Sequence, residues 1–237
     1  KDVMSSSISI NLDHEDYSFD IGMNLNEKLT VHENSDRFDY VLPYYNFSTS
    51  YVNEKIPGLI SFKSKGNNTL KNTNNLQTKI INDLEFQTNN YITKNGIVNK
   101  FNAYYKNVNT YGKKDPLLKN SPSQSLENIY EFTSSWPLYK ENQTYKNTIL
   151  PRISYRINPN GMNDLSGNST RILYNNVFNI NRINDEDSFE EGQSITIGSN
   201  FIRQSLKNPS KKFEYGLATV LRPKKSNNIP SSSTIND

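Results

Sequence analysis

The sequence predicts an all-β chain of antiparallel strands. Three observations carry that reading. Apolar residues recur at every second position, the period of a pleated strand with one apolar face. No window shows a good 3.6-residue repeat. The composition, with 37 Asn and 15 Tyr among 237 residues, is poor material for helix interiors. At ~18 residues per strand with its connection, using ~10 for each membrane-type strand, about a dozen strands fit.

The elements follow in order. Ile8, Ile10 and Leu12 alternate with Ser and Asn, and His14-Glu15-Asp16 forms a polar turn. The alternation resumes as Tyr17, Phe19, Ile21, Met23 and Leu25, so the first two runs predict a hairpin with one apolar face. Phe38, Tyr40 and Leu42 precede Pro43, and Ile60 and Phe62 follow Pro57-Gly58. Ile80, Leu84 and Phe86 share a parity, and Lys94-Asn95-Gly96 carries the Asn-Gly pair favoured in type I′ hairpin turns. Phe101, Ala103 and Tyr105 then lie opposite Lys100, Asn102, Tyr104 and Lys106. Later runs are Tyr130/Phe132/Trp136, Ile153/Tyr155/Ile157, Ile195/Ile197/Phe201 and Phe213/Tyr215/Leu217/Leu221. Pro151 and Pro159 are expected to bound the Ile153 strand. The Asn-, Lys- and Ser-rich stretches Lys65–Thr78, Asn107–Ser125 and Lys224–Asp237 are expected to be solvent loops.

Composition excludes several classes. Hydrophobic residues make up 33% and mean hydropathy is −0.79, with no run of ~20 apolar residues for a spanning helix. A membrane barrel escapes that exclusion because it turns only alternate residues to lipid. A net charge of +3 does not indicate nucleic acid. The absence of Cys excludes disulfides and thiolate chemistry, and two His, at His14 and His32, do not make a metal site. There is no Gly-x-Ser-x-Gly elbow and no phosphate-cradling glycine loop. A membrane barrel and a soluble β sheet both fit these residues. Small polar partners on the second face, and the aromatics Tyr44, Tyr45, Phe47, Trp136, Tyr139 and Phe201 placed near expected strand ends, suit a wet lumen and an interfacial girdle. Ordinary core aromatics would read the same way.

Family resemblance adds to this. Pro151-Arg152-Ile153-Ser154-Tyr155 is followed by Asn176-Val177-Phe178-Asn179-Ile180-Asn181-Arg182. Next come Asp187-Ser188-Phe189-Glu190-Glu191-Gly192 and Thr196-Ile197-Gly198. The order resembles the barrel domain of the lipopolysaccharide-assembly family LptD (OstA or Imp), with its P-x-I-x-Y strand, N-x-F-x-x-N-R block, D-x-x-E-x-G stretch and T-x-G strand. The tail Phe213–Arg222 with Ile229–Thr234 is similar to the α-proteobacterial branch of that family. Over residues 1–147 only the strand pattern is compatible. One departure is Asn184-Asp185-Glu186, where the family often has Gly before its Asp.

The resemblance implies an antiparallel transmembrane β-barrel in the cell outer membrane of a Gram-negative bacterium. On this reading residues 1–237 are a partial, open fragment of a large up-and-down barrel. The N-terminal periplasmic jellyroll and the terminal gate strands lie outside it, and the family's disulfide cysteines lie outside it or are dispensed with in this branch. The implied partners are lipopolysaccharide, outer-membrane lipid, an LptE-like lipoprotein plug and an LptA-like periplasmic bridge reached through the jellyroll. The implied activity is passage of lipopolysaccharide to the outer leaflet, with no enzyme activity and no cofactor. Another barrel, such as a porin or TonB-type receptor, or a soluble Asn-rich adhesin or carbohydrate-binding protein, are the alternatives.

Among candidate site residues, Asn176, Phe178, Asn181 and Arg182 are expected in a luminal fold-back or a strand cap, with Arg182 tying carbonyls or carboxylates. Asp185, Glu186, Asp187, Glu190 and Glu191 suggest divalent-cation binding, a solvated loop, or an ion pair with Arg182 or Arg171. Gly192 and Gly198 are expected at bends or close backbone approaches.

Overall fold

A computed structural model describes residues 3–29, 37–53, 55–71 and 74–235; His32 lies outside them. The strands are β1 (Val3–Asp13), β2 (Tyr17–Lys28), β3 (Phe38–Asn53), β4 (Ile56–Lys71), β5 (Asn75–Thr88) and β6 (Tyr91–Ile92). They continue as β7 (Val98–Lys113), β8 (Ser123–Ser135), β9 (Leu138–Glu141), β10 (Tyr145–Asn158), β11 (Gly192–Ser205) and β12 (Lys212–Leu221). All belong to one 12-stranded sheet, and no α-helix occurs among the described residues. The chain is therefore all-β and antiparallel, as the alternation predicts. Strand order follows chain order along β1-β2-β3-β4-β5-β7-β8-β10-β11-β12, with β6 on β7 and β9 on β10.

Several expectations are corrected. Lys65–Thr78 is largely strand rather than loop, because β4 runs to Lys71 and β5 begins at Asn75; residues 72 and 73 lie outside the described residues. Asn107–Ser125 keeps only its middle as a loop, between Lys113 and Ser123. Asn is tolerated here because the side chains bond to one another across strands. Ser64 donates to Asn82 at 2.7 Å, Asn82 to Asn107 at 3.3 Å, and Thr78 to Asn68 at 2.7 Å. These longer strands leave Tyr44, Tyr45 and Phe47 in the middle of β3 rather than near its end.

The Asn95-Gly96 turn is not type I′, which needs positive φ at both central residues. Only Gly96, at +79°, has it; Thr93 instead closes a wider loop by bonding Ile97 through its backbone N–H (2.9 Å). Pro151 lies inside β10, opposite Ser199, not at its edge. It sits where β10 changes neighbour, from β9 (last pair Ile149↔Leu138) to β8 (first pair Arg152↔Ser135). Its carbonyl accepts the Trp136 N–H at 3.0 Å, and the reciprocal bond that an N–H at position 151 would give is absent, at the point where the ladder is interrupted.

The chain divides into two compact units. The first, Lys1–Phe86 with Tyr105–Leu126, pairs Ile8, Ile10 and Leu12 with Met23, Ile21 and Phe19 on one face. That face continues through Tyr45 and Phe47, with stacked or tilted rings for Tyr17–Phe47 and Phe47–Phe62. Ile8 and Ile10 are 70% and 71% exposed. The other face of the unit carries ion pairs such as Lys106–Asp83 at 2.6 Å.

The second unit, Gln87–Tyr104 with Glu127–Asp237, inverts the arrangement of a water-facing sheet. Exposed on one face of β8, β10 and β11 are Phe132, Ile153, Tyr155, Ile195 and Ile197. Buried on the other are Glu131, Thr133, Ser154, Arg156, Asn158, Ser194 and Thr196. The register makes these polar residues cross-strand neighbours: Arg156 lies between Glu131 and Ser194, and Ser154 between Thr133 and Thr196. The segment 159–191, which joins β10 to β11, covers them.

Candidate functional site: the buried polar cluster

Segment 159–191 has turns but no strand or helix. Its own apolar residues Ile172, Val177, Phe178 and Ile183 cluster with Ile229 and Ile235 of the tail, and Met162, Leu165, Tyr174, Ala218 and Val220 pack at the margin. Local caps shape it. Asn176 accepts the Leu173 N–H at 2.7 Å and donates to the Arg171 carbonyl at 3.2 Å. Asn181 donates to the Asp185 carbonyl at 2.6 Å, and Asp185 accepts from the Ser188 N–H (3.0 Å) and hydroxyl (2.6 Å). Asn184 takes the left-handed φ of +56°, which Asn tolerates well.

The segment meets the sheet through charge. Arg182 is 1% exposed and bonds both oxygens of Glu190, Nε at 2.5 Å and Nη2 at 2.7 Å. Its remaining donors reach Thr196 Oγ1 (2.9 Å) and Ser194 Oγ (3.1 Å) on β11. Arg156, from β10, bonds Glu131 Oε2 at 3.2 Å and the Asn179 carbonyl at 2.6 Å, and lies 3.6 Å from Glu190. Glu131 also accepts from Ser154 (2.9 Å) and Asn102 (3.2 Å). Arg222, just after β12, pairs with Glu190 and donates to the Glu191 carbonyl at 2.9 Å. Ser226 in turn donates to Glu191. Three buried guanidiniums thus surround two buried carboxylates, an arrangement stable only while every charge keeps its partner. Burial pushes the Glu190 carboxyl upward, but the bond from Arg182 and the charges of Arg182, Arg156 and Arg222 outweigh it and hold it below the usual carboxylate range.

The other sequence-predicted residues are placed as follows. Phe178 is buried, edge-on to Tyr174 at 6.3 Å and beneath the Arg152 guanidinium at 4.4 Å. Gly198 lies under it: a Cβ there would come within 2.7 Å of the Leu217 carbonyl and 3.1 Å of the Phe178 ring. Gly198→Ala is accordingly expected to destabilise by about 1–3 kcal/mol, measured as a lower urea midpoint. Gly192 opens β11 with φ of +80°. Tyr155 lies on the exposed apolar face, opposite Ile195, away from the cluster. Asp187 is partly buried within the segment. No group of three or more His, Cys, Asp or Glu able to hold a metal occurs among the described residues.

Sequence reasoning missed Glu131, Arg156 and Arg222 as members. A signal existed for the first two: each is a single charge between large apolar neighbours, Tyr130-Glu131-Phe132 and Tyr155-Arg156-Ile157. Nothing local marks Arg222, whose partner Glu190 is 32 residues away. No family model matches the chain, and no curated protein matches it.

Proposed function

We propose that this chain is part of the wall of an outer-membrane β-barrel, and that the barrel is an LptD-like translocon passing lipopolysaccharide to the outer leaflet. The observation that carries the membrane reading is the inverted second unit: Ile153, Tyr155, Ile195 and Ile197 outward and Glu131, Ser154, Arg156 and Thr196 inward. Burying the polar set costs free energy that a soluble protein recovers by covering its apolar face, and here that face is the exposed one. Lipid against the apolar face and a polar interior against the other suit both. Within the sheet the backbone is bonded strand to strand; its two outer edges, at β1 and β12, pair with no described strand, and a bilayer would require further strands to cover them. The lipopolysaccharide reading rests on the motif order of residues 150–234. Its work is passage rather than catalysis: the polar face receives sugar and phosphate while acyl chains stay on the lipid side. LptE-like plug and LptA-like bridge proteins would be its partners.

The single tryptophan supplies a test. Trp136 lies between β8 and β9, with its indole N–H on the Asn95 carbonyl at 3.0 Å. In vesicles of brominated lipids its fluorescence is expected to be quenched, most by bromines near the headgroups. Emission indifferent to bromine at every depth overturns the membrane reading. Depleting the full-length protein in its host is expected to remove surface lipopolysaccharide; loss of small-solute uptake alone would favour a porin.

A further inference from the structure

Segment 159–191 meets the sheet through both packing and charge: Phe178 lies on Gly198 of β11, Tyr174 on Gly216 of β12, and Ala218 and Val220 of β12 pack against its apolar cluster. Arg182 and Glu190, both on the segment, meet Ser194 and Thr196 of β11, Arg156 of β10 and Arg222 beyond β12. Asn158 adds one bond, to the Phe189 carbonyl at 3.2 Å. The closed arrangement also leaves donors unused: Arg156 Nε and Nη1 and Arg222 Nε are buried without a hydrogen-bond partner. Opening brings these donors to bulk water.

We propose that residues 159–191 form a strap that lifts from the polar face of β10 and β11 when Glu190 loses its charge. Glu190 is the latch because one carboxylate receives all three arginines: Arg182 from the strap, Arg156 from the sheet and Arg222 from the tail. Glu131 stays behind on β8 with Arg156, and Glu191 is held by Ser226 and Asn228. The sign with pH follows. A carboxyl held below its usual range stabilises closure above that range and loses the effect as pH falls through its folded value. Acid opens the strap, and neutral pH closes it. The inference does not depend on what surrounds the sheet.

Hydrogen exchange by mass spectrometry on the full-length chain in detergent tests it. At neutral pH, Glu190→Gln is expected to speed exchange of the backbone amides of residues 163–187 at least tenfold, with β10 and β11 unchanged. Arg222→Gln should act in the same direction more weakly, and reports on the latch even if Glu190→Gln fails to fold. The wild type should move toward the Glu190→Gln pattern in acid, after correction for intrinsic exchange. Asp20→Asn on β2, whose carboxylate accepts a bond from Asn46, is the control. Unchanged strap amides in the folded variants, or strap and strands losing protection together, would overturn the proposal.

Discussion

Arg156→Met is expected to destabilise the protein by about 3–5 kcal/mol, the usual cost of leaving a buried charge without its partner. Arg156 and Glu131 are each 3% exposed and sit side by side on β10 and β8, under the covering segment 159–191. Methionine fills much of the space and supplies no charge, so Glu131 keeps only its bonds from Ser154 and Asn102. The companion Glu131→Leu should be costly in the same way. The double variant should recover most of the loss, because a pair replaced by apolar side chains of similar volume removes the desolvation along with the attraction. Urea unfolding of the four proteins measures this cycle. Additive single effects would mean that the two charges do not depend on each other.

Ile197→Arg is the second large effect, and its size depends on the medium. Ile197 lies 44% exposed, opposite Ile153 on β10 and Thr219 on β12. Against lipid an arginine there costs about 2–4 kcal/mol at mid-bilayer depth. Against water the same change belongs to the surface substitutions that stay within about 0.5 kcal/mol. Unfolding the full-length chain from phospholipid vesicles and comparing Ile197→Arg with Ile197→Ala separates the two. A penalty under 1 kcal/mol would leave the outward face without lipid.

Much of the fold was legible because one face of each strand repeats every second residue. Ile8/Ile10/Leu12 against Phe19/Ile21/Met23 could be paired from parity alone, and the register follows it. Strand length was harder to read. Asn and Thr score as loop formers singly, yet the Ser64–Asn82–Asn107 chain shows them bonding laterally, an advantage that exists only once neighbouring strands are aligned. Proline at position 151 misled for a related reason: whether a missing N–H matters depends on which neighbour it faces. In the polar cluster, Arg182 and Glu190 are eight residues apart and within reach of pattern reading. Arg222 joins them from 32 residues beyond Glu190 and only through the sheet's register.

The sequential strand order has a kinetic consequence. Each strand finds its partner next to it in the chain, so loop closures are short and hairpins can zip one after another without waiting for distant segments. The strap is the exception, because Arg222 and Ser226, which fasten Glu190 and Glu191, lie downstream of β12. Its seating must therefore be among the last events of assembly. Until then the arginines and glutamates of β8 and β10 remain hydrated, and a chain interrupted before residue 222 would carry all twelve strands with the strap unfastened.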